Sequence, residues 1–173
     1  IARSTIYIFR HGDSVRDIPA SFVRIFGTTP ILGLPPPLIA LILLAIGSHV
    51  LLTYTAFGRR VYAIGGNEEA TRLSGINVRW VKFLTYVLCT SCCALSGLLF
   101  TGRAMEAHAD TGKDLELDAI AAAVIGGTSL MGGKGSVLGV LIGATIMGVV
   151  KNGLVQLDVS SYWQDAIVGT IIV

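Results

Sequence analysis

The sequence predicts an all-α membrane protein: a polytopic bundle of transmembrane helices, some of them short and broken. Three observations predict it. Of the 173 residues, 53% are hydrophobic and 14% charged, where soluble domains carry about 25% charged residues; the mean hydropathy is +0.72. Two runs, Pro37 to Phe57 and Phe83 to Gly102, contain no Asp, Glu, Lys or Arg. Each has the ~20 residues that cross ~30 Å of hydrocarbon at 1.5 Å per residue. Two further apolar runs are interrupted by glycine, a pattern tolerated at membrane depth only where protein or a water-filled path surrounds the backbone. A formal net charge of +2 with no basic stripe speaks against nucleic acid as a partner.

In chain order, residues 1–9 read as the end of a preceding span. Arg10 to Arg24 is polar, with His11, Asp13, Arg16 and Asp17, and reads as a solvated loop. "GTTPILGLPPPL" is an extended, proline-stiffened lead-in to the first full span at 37–57, in which His49 is taken as neutral and facing protein. Residues 58–82 are polar. The second span covers 83–102 and holds Cys89, Cys92 and Cys93 on one helix face; a metal site would need a fourth ligand and polar surroundings, so they read as small packing residues. A short helix is expected over 117–131, a further span over 137–156, and a last one over 162–173. The chain lacks an initiator Met and stops inside an apolar run, so it is read as a fragment.

Gly135, Gly139 and Gly143 recur every four residues. That spacing gives one helix a smooth face for close approach of a neighbour. Orientation follows from Lys and Arg in short loops. Gly58 to Lys82 holds Arg59, Arg60, Arg72, Arg79 and Lys82, whereas Arg103 to Asp118 holds Arg103 and Lys113 against five acids. The first loop is therefore expected inside and the second outside. Alternation puts Lys134 inside, and Asp158 and Arg10 to Arg24 outside.

The polar stretch "GRRVYAIGGNEEATRLSGI", Gly58 to Ile76, carries its own helix signals. Asn67 is a good N-cap, Glu68 and Glu69 suit the first turn, and Gly75 can take the left-handed conformation that stops a helix. A two-turn helix over Glu68 to Ser74 is expected, with Gly65 and Gly66 turning the chain sharply into it. So short a helix is marginal alone. Ala70 and Leu73 can share an apolar face. From spacing alone, the stretch is either a well-capped connecting loop or a docking element for a cytoplasmic partner.

"GRRVYAIGGNEEATRLSGI" followed by "ELDAIAAAVIGGTSLMGGKGS" resembles the permease subunits of bacterial ribose-type sugar ABC importers, over their C-terminal half. The polar stretch at Arg10 to Arg24 matches only loosely. The resemblance implies that Gly58 to Ile76 contacts an ATPase subunit through Gly65, Gly66, Asn67, Glu68, Glu69, Ala70, Arg72, Leu73, Ser74 and Gly75. It further implies a second permease as a homo- or heterodimer, a periplasmic sugar-binding protein, membrane lipid around a multi-pass chain in the bacterial inner membrane, and ATP and magnesium bound by the partner ATPase, with no cofactor on this chain. In the second motif, Glu116 and Asp118 have two readings: charge at a helix N-terminus near the membrane surface, or groups that line or gate a pathway together with Gly126, Gly127, Thr128 and Ser129.

"GGTSLMGGKGS" superficially suggests a phosphate-binding loop. Thr128 and Gly135, however, stand where that motif needs Gly and Ser or Thr, and the preceding segment is a short membrane helix instead of a strand. Two other function classes fit the sequence less well. A passive channel or facilitator for small polar solutes would share the spans but would have no use for a docking helix. An intramembrane enzyme would need a catalytic constellation, and His11, His49 and His108 fall in different segments. A transport subunit that is not itself an enzyme is the expectation.

Overall fold

Helices form wherever the apolar runs demand them. The computed structural model describes residues 5, 18–27, 33–107, 112, 115–158, 160, 163, 166 and 169–170. Seven helices lie among them: α1 (Ala20–Phe26), α2 (Pro36–Tyr54), α3 (Ala56–Gly66), α4 (Glu68–Leu73), α5 (Val78–Ala104), α6 (Leu115–Ile125) and α7 (Val137–Gln156). No strand occurs among the described residues. The expected spans at 1–9 and 162–173 lie outside what is described, apart from single positions.

Three helices are long and apolar enough to cross a membrane: α2 with 19 residues, α5 with 27 and α7 with 20. At 1.5 Å per residue these run about 28, 40 and 30 Å. Their surfaces are those of lipid-facing helices. No residue of the apolar window of α2 or α5 is buried, and Leu43, Ile46, Tyr86 and Val149 are each well over half exposed. A soluble monomer does not leave apolar faces of that extent in water. Hydroxyls in the same helices bond to the carbonyl one turn back. Thr85 donates to Val81 at 2.9 Å, Ser91 to Val87 at 2.8 Å and Thr145 to Leu141 at 2.8 Å; Thr90 donates likewise to Tyr86. Each polar group is thereby satisfied within its own helix, as a bilayer requires.

The chain divides into two compact units, Ile1–Leu44 with Tyr86–Lys113, and Ala45–Thr85 with Asp114–Val173. In the first, α1 corrects part of the solvated loop expected over Arg10 to Arg24. Phe22 and Phe26, one turn apart, bring their rings to 5.0 Å. The end of α1 rests on the last turns of α5, backbone on backbone: a Cβ at Gly102 would lie 2.7 Å from the Phe26 carbonyl carbon. Two aromatic side chains and a glycine seat thus outweigh the flanking charges. A cavity of 290 Å³ in this unit is bordered by α2 and α5, from Pro37 and Leu41 to Leu99 and Arg103.

The second unit departs from expectation in several places. The span expected over 37–57 ends at Tyr54. Thr55 adopts extended backbone and starts a new helix, its Oγ1 accepting from the Gly58 N–H at 3.2 Å while donating to the Leu51 carbonyl at 2.6 Å. Gly58 makes the sharp fold possible, since a Cβ there would sit 2.5 Å from the Leu52 backbone. Residues 58–82, expected as a loop carrying one short helix over Glu68 to Ser74, hold that helix as α4 and, beyond expectation, most of α3 and the start of α5. The helix expected over 83–102 begins earlier, at Val78, where Asn77 Oδ1 accepts from the Trp80 N–H at 3.1 Å. The short helix expected to reach Met131 ends at Ile125. Two bonds close it, Gly127 N–H to the Val124 carbonyl and Thr128 N–H to the Ala123 carbonyl, both 2.9 Å. With Gly127 at φ +82, this is a Schellman stop.

α6 and α7 form an antiparallel hairpin around the unit's small core of Ala121, Ala122 and Met147, with Ile125 packed against it. Gly139 faces Gly126 and Gly143 faces Ala122, and a Cβ on either α7 glycine would strike the opposing carbonyl. Gly135, placed by spacing on the same helix face, is not on a helix: Ser136 is the N-cap of α7, and Gly135 lies before it against the Thr128 side chain. The spacing of four was real, but its first member fell outside the helix that the cap defines.

Candidate functional site

The polar stretch folds into a corner of two helices. α3 presents Arg59 and Arg60 to the outside and half-buries Val61, Tyr62 and Ile64. Asn67 then breaks the helix with extended backbone at φ −156, and its Oδ1 accepts from the Ala70 N–H at 2.9 Å. This restarts the chain as α4. The turn lies at Asn67 itself, and not at Gly65 and Gly66, which remain helical in the last turn of α3.

α4 carries Glu68 and Glu69 in its first turn and Arg72 in its last, both favourable to the helix dipole. Ser74 N–H bonds the Ala70 carbonyl at 3.1 Å, Gly75 N–H bonds the Arg72 carbonyl at 3.0 Å, and Gly75 takes φ +81. Glu68 pairs with Lys82 at 2.6 Å, with both side chains about half exposed; such a pair contributes little. Thr71 is buried and donates through Oγ1 to the Asn67 carbonyl at 2.7 Å. It is the inward-facing residue of α4, and the sequence reading gave it no role. Leu73 is 80% exposed. A helix this short thus turns its one large apolar side chain away from the rest of the chain.

Beneath the corner lies the glycine-rich segment between α6 and α7. Ser129 N–H bonds the Lys134 carbonyl at 3.0 Å and Gly132 N–H bonds the Ser129 carbonyl at 3.1 Å, closing a tight loop. Gly132 and Gly133 both take positive φ, +88 and +74. They meet α3 directly: a Cβ at Gly65 would lie 3.0 Å from Gly133 Cα, and one at Gly133 would lie 2.9 Å from Gly66 N. Tyr62 Oη donates to the Gly135 carbonyl at 2.9 Å. A cavity of 420 Å³ opens beside this contact, with Leu52, Tyr62, Thr128, Lys134 and Val140 among its walls. Thr128 Oγ1 is buried without a hydrogen-bond partner. The two sequence motifs are therefore one structure, with Tyr62, Gly132 and Gly133 as contacts that sequence reasoning missed. The pairing of two glycine doublets, 65–66 and 132–133, was the available signal.

Of the proposed pathway residues, Gly126 and Gly127 lie at the end of α6 and Thr128 and Ser129 in the loop. Glu116 and Asp118 stand in the first turn of α6, at the other end of the hairpin. Asp118 pairs with Lys151 of α7 at 2.5 Å, the side chains 23% and 34% exposed. Lys151 lies five residues before the end of α7, roughly 8 Å along the helix. The pair ties the open end of the hairpin. Among the described residues, no three His, Cys, Asp or Glu side chains gather as metal ligands would.

The family model described as branched-chain amino acid transport system / permease component matches residues 3–173. The chain is 42% identical over 173 residues to the ribose import permease protein of Bacillus subtilis (strain 168), covering 99% of the chain and 54% of that protein. It is 48% identical over 140 residues to the xylose transport system permease protein of Escherichia coli (strain K12), covering 81% and 36%. It is 49% identical over 138 residues to the ribose import permease protein of Haemophilus influenzae, covering 80% and 43%. The chain spans about half the length of the curated relatives it matches. No solved structure matches it.

Proposed function

The chain belongs to the family of branched-chain amino acid transport system permease components, and from that premise we propose that it forms part of the membrane-spanning subunit of an ATP-driven sugar importer. One observation carries the reading: a short, doubly capped helix, α4, stands between two membrane-crossing helices and turns Leu73 outward. A passive pore has no use for such an element. A subunit that receives motion from a soluble ATPase does.

In this reading the chain makes and breaks no bonds. ATP and magnesium bind on a separate ATPase subunit, which seats against α4. A second permease completes the pathway, and a sugar-binding protein delivers substrate on the outer side of the bacterial inner membrane, which this multi-pass chain crosses. The relatives named for ribose and for xylose point to a pentose as substrate. Asp118 and Lys151, paired near the outer end of α7, belong to the pathway side of the hairpin, and the 126–136 loop to the ATPase side.

The test is uptake of labelled ribose and xylose by sealed vesicles carrying the assembled transporter. ATP on the ATPase side should be required, and a non-hydrolysable analogue should not support accumulation. Sugar equilibrating at the same rate without ATP would identify a passive facilitator.

A further inference from the structure

At one point the α3–α4 corner and the loop of the α6–α7 hairpin meet backbone on backbone. At Gly65, Gly132 and Gly133 no side chain intervenes, and a Cβ on any of them would lie within 3.0 Å of the opposing backbone. Two of the three glycines hold left-handed φ angles, which other residues adopt at a cost. One turn earlier on α3, Tyr62 Oη fixes the same loop by donating to the Gly135 carbonyl at 2.9 Å. Two backbone bonds, Ser129 N–H to the Lys134 carbonyl and Gly132 N–H to the Ser129 carbonyl, tie the loop across its base. It passes directly into α7, whose N-cap Ser136 accepts from the Gly139 N–H at 3.0 Å. The hairpin beyond is packed backbone on backbone as well, Gly139 and Gly143 lying against carbonyls at Gly126 and Ala122. Contacts of this kind transmit displacement, since close-packed backbone has no rotamers through which to yield.

We propose that Gly65 and the Gly132–Gly133 pair are a mechanical joint that passes movement of α4 to the α6–α7 hairpin, with Tyr62 as its second fastening. This rests on the reading of α4 as the ATPase contact. The residues are positioning residues: they hold two moving parts in register and touch no substrate.

Two helical glycines supply the test, Gly65 in α3 and Gly148 in α7, and alanine is the better helix former at both. A Cβ at Gly65 meets the 132–133 backbone, whereas a Cβ at Gly148 meets nothing within 4 Å. In the assembled transporter in vesicles, the measured quantity is sugar imported per ATP hydrolysed, alongside capture of the ATPase subunit. A loss of folded complexes lowers import and hydrolysis together and leaves the ratio unmoved. Gly65→Ala should lower the ratio at least about fivefold, the lower range for overpacking a tight contact, with capture unchanged. Gly148→Ala should match the parent. Tyr62→Phe, which adds no bulk, should lower the ratio by about two- to tenfold, as for one lost hydrogen bond; it decides the matter if Gly65→Ala does not assemble. A parental ratio in both Gly65→Ala and Tyr62→Phe, or equal losses in Gly65→Ala and Gly148→Ala, overturns the joint. The docking reading fails separately: capture would then be indifferent to Leu73→Ala. Capture that depends on Leu73, with a ratio indifferent to Gly65 and Tyr62, would leave docking standing and remove the joint.

Discussion

Truncating Leu73 to alanine isolates the contact that α4 offers to a partner. The side chain is 80% exposed, so almost none of the gain from burying it is realised within the chain. The three carbons removed are worth roughly 2 kcal/mol at ~0.8 kcal/mol per buried CH₂ group once a partner covers them. That corresponds to about a 30-fold weaker complex. The fold itself should change by no more than about 0.5 kcal/mol, as for a surface position. Binding of the purified ATPase subunit to transporter in lipid nanodiscs measures the affinity, and thermal unfolding of the same sample measures the stability. Leu73→Asp should weaken the complex further, because its carboxylate would be buried unpaired. An affinity within about threefold of the parent for Leu73→Ala, where about 30-fold is expected, would refute the reasoning and return α4 to a capped connecting turn.

Four further outcomes are expected. Asn67→Ala should destabilise α4 by about 1 kcal/mol through loss of the cap, seen as faster amide exchange at Ala70, and Asn67→Ser should restore most of it. Asp118→Asn should cost on the order of 2 kcal/mol, between the values for exposed and buried pairs, and the double exchange Asp118→Lys with Lys151→Asp should recover thermal stability that either single exchange loses. Gly143→Leu should lower the yield of assembled protein, because a Cβ there already strikes the Ala122 carbonyl, whereas Gly148→Ala should be neutral because nothing lies within 4 Å of it. Single cysteines at Asn77 and Thr111, in a background without Cys89, Cys92 and Cys93, should label from opposite sides of the membrane; labelling of both from the same side would sink the orientation argument.

Long apolar runs announce that a helix is there, and α7 occupies the very range expected of it. Charge-free length and period are local properties, and lipid imposes no competing demand. The cap of α4 was equally legible, because Asn67, Glu68, Glu69 and Gly75 each act on the backbone within a turn of themselves. What the sequence hid was decided across distance. Thr55 sits within an unbroken apolar run; only the fold of Gly58 onto Leu52 shows that the span has already ended. Gly65 and Gly66 looked like a hinge, yet they stay helical because their smoothness serves the loop 67 residues later. Gly135 shared the period of Gly139 and Gly143 but fell on the far side of the Ser136 cap. Lys151 gave no sign of pairing with Asp118 until the hairpin register brought them together. Small residues are read from sequence as permissive, and only their neighbours say what they permit.

Photo-cross-linking from single exposed leucines tests the central claim most directly. Leu73 and Leu157 are 80% and 76% exposed and lie toward opposite ends of the second unit, Leu157 following the last turn of α7, about 30 Å along that helix from the loop beside α3. A photoreactive side chain introduced at each position, in the transporter assembled with its ATPase, should capture the ATPase from position 73 and not from position 157. Capture from 157 with none from 73 would contradict the account.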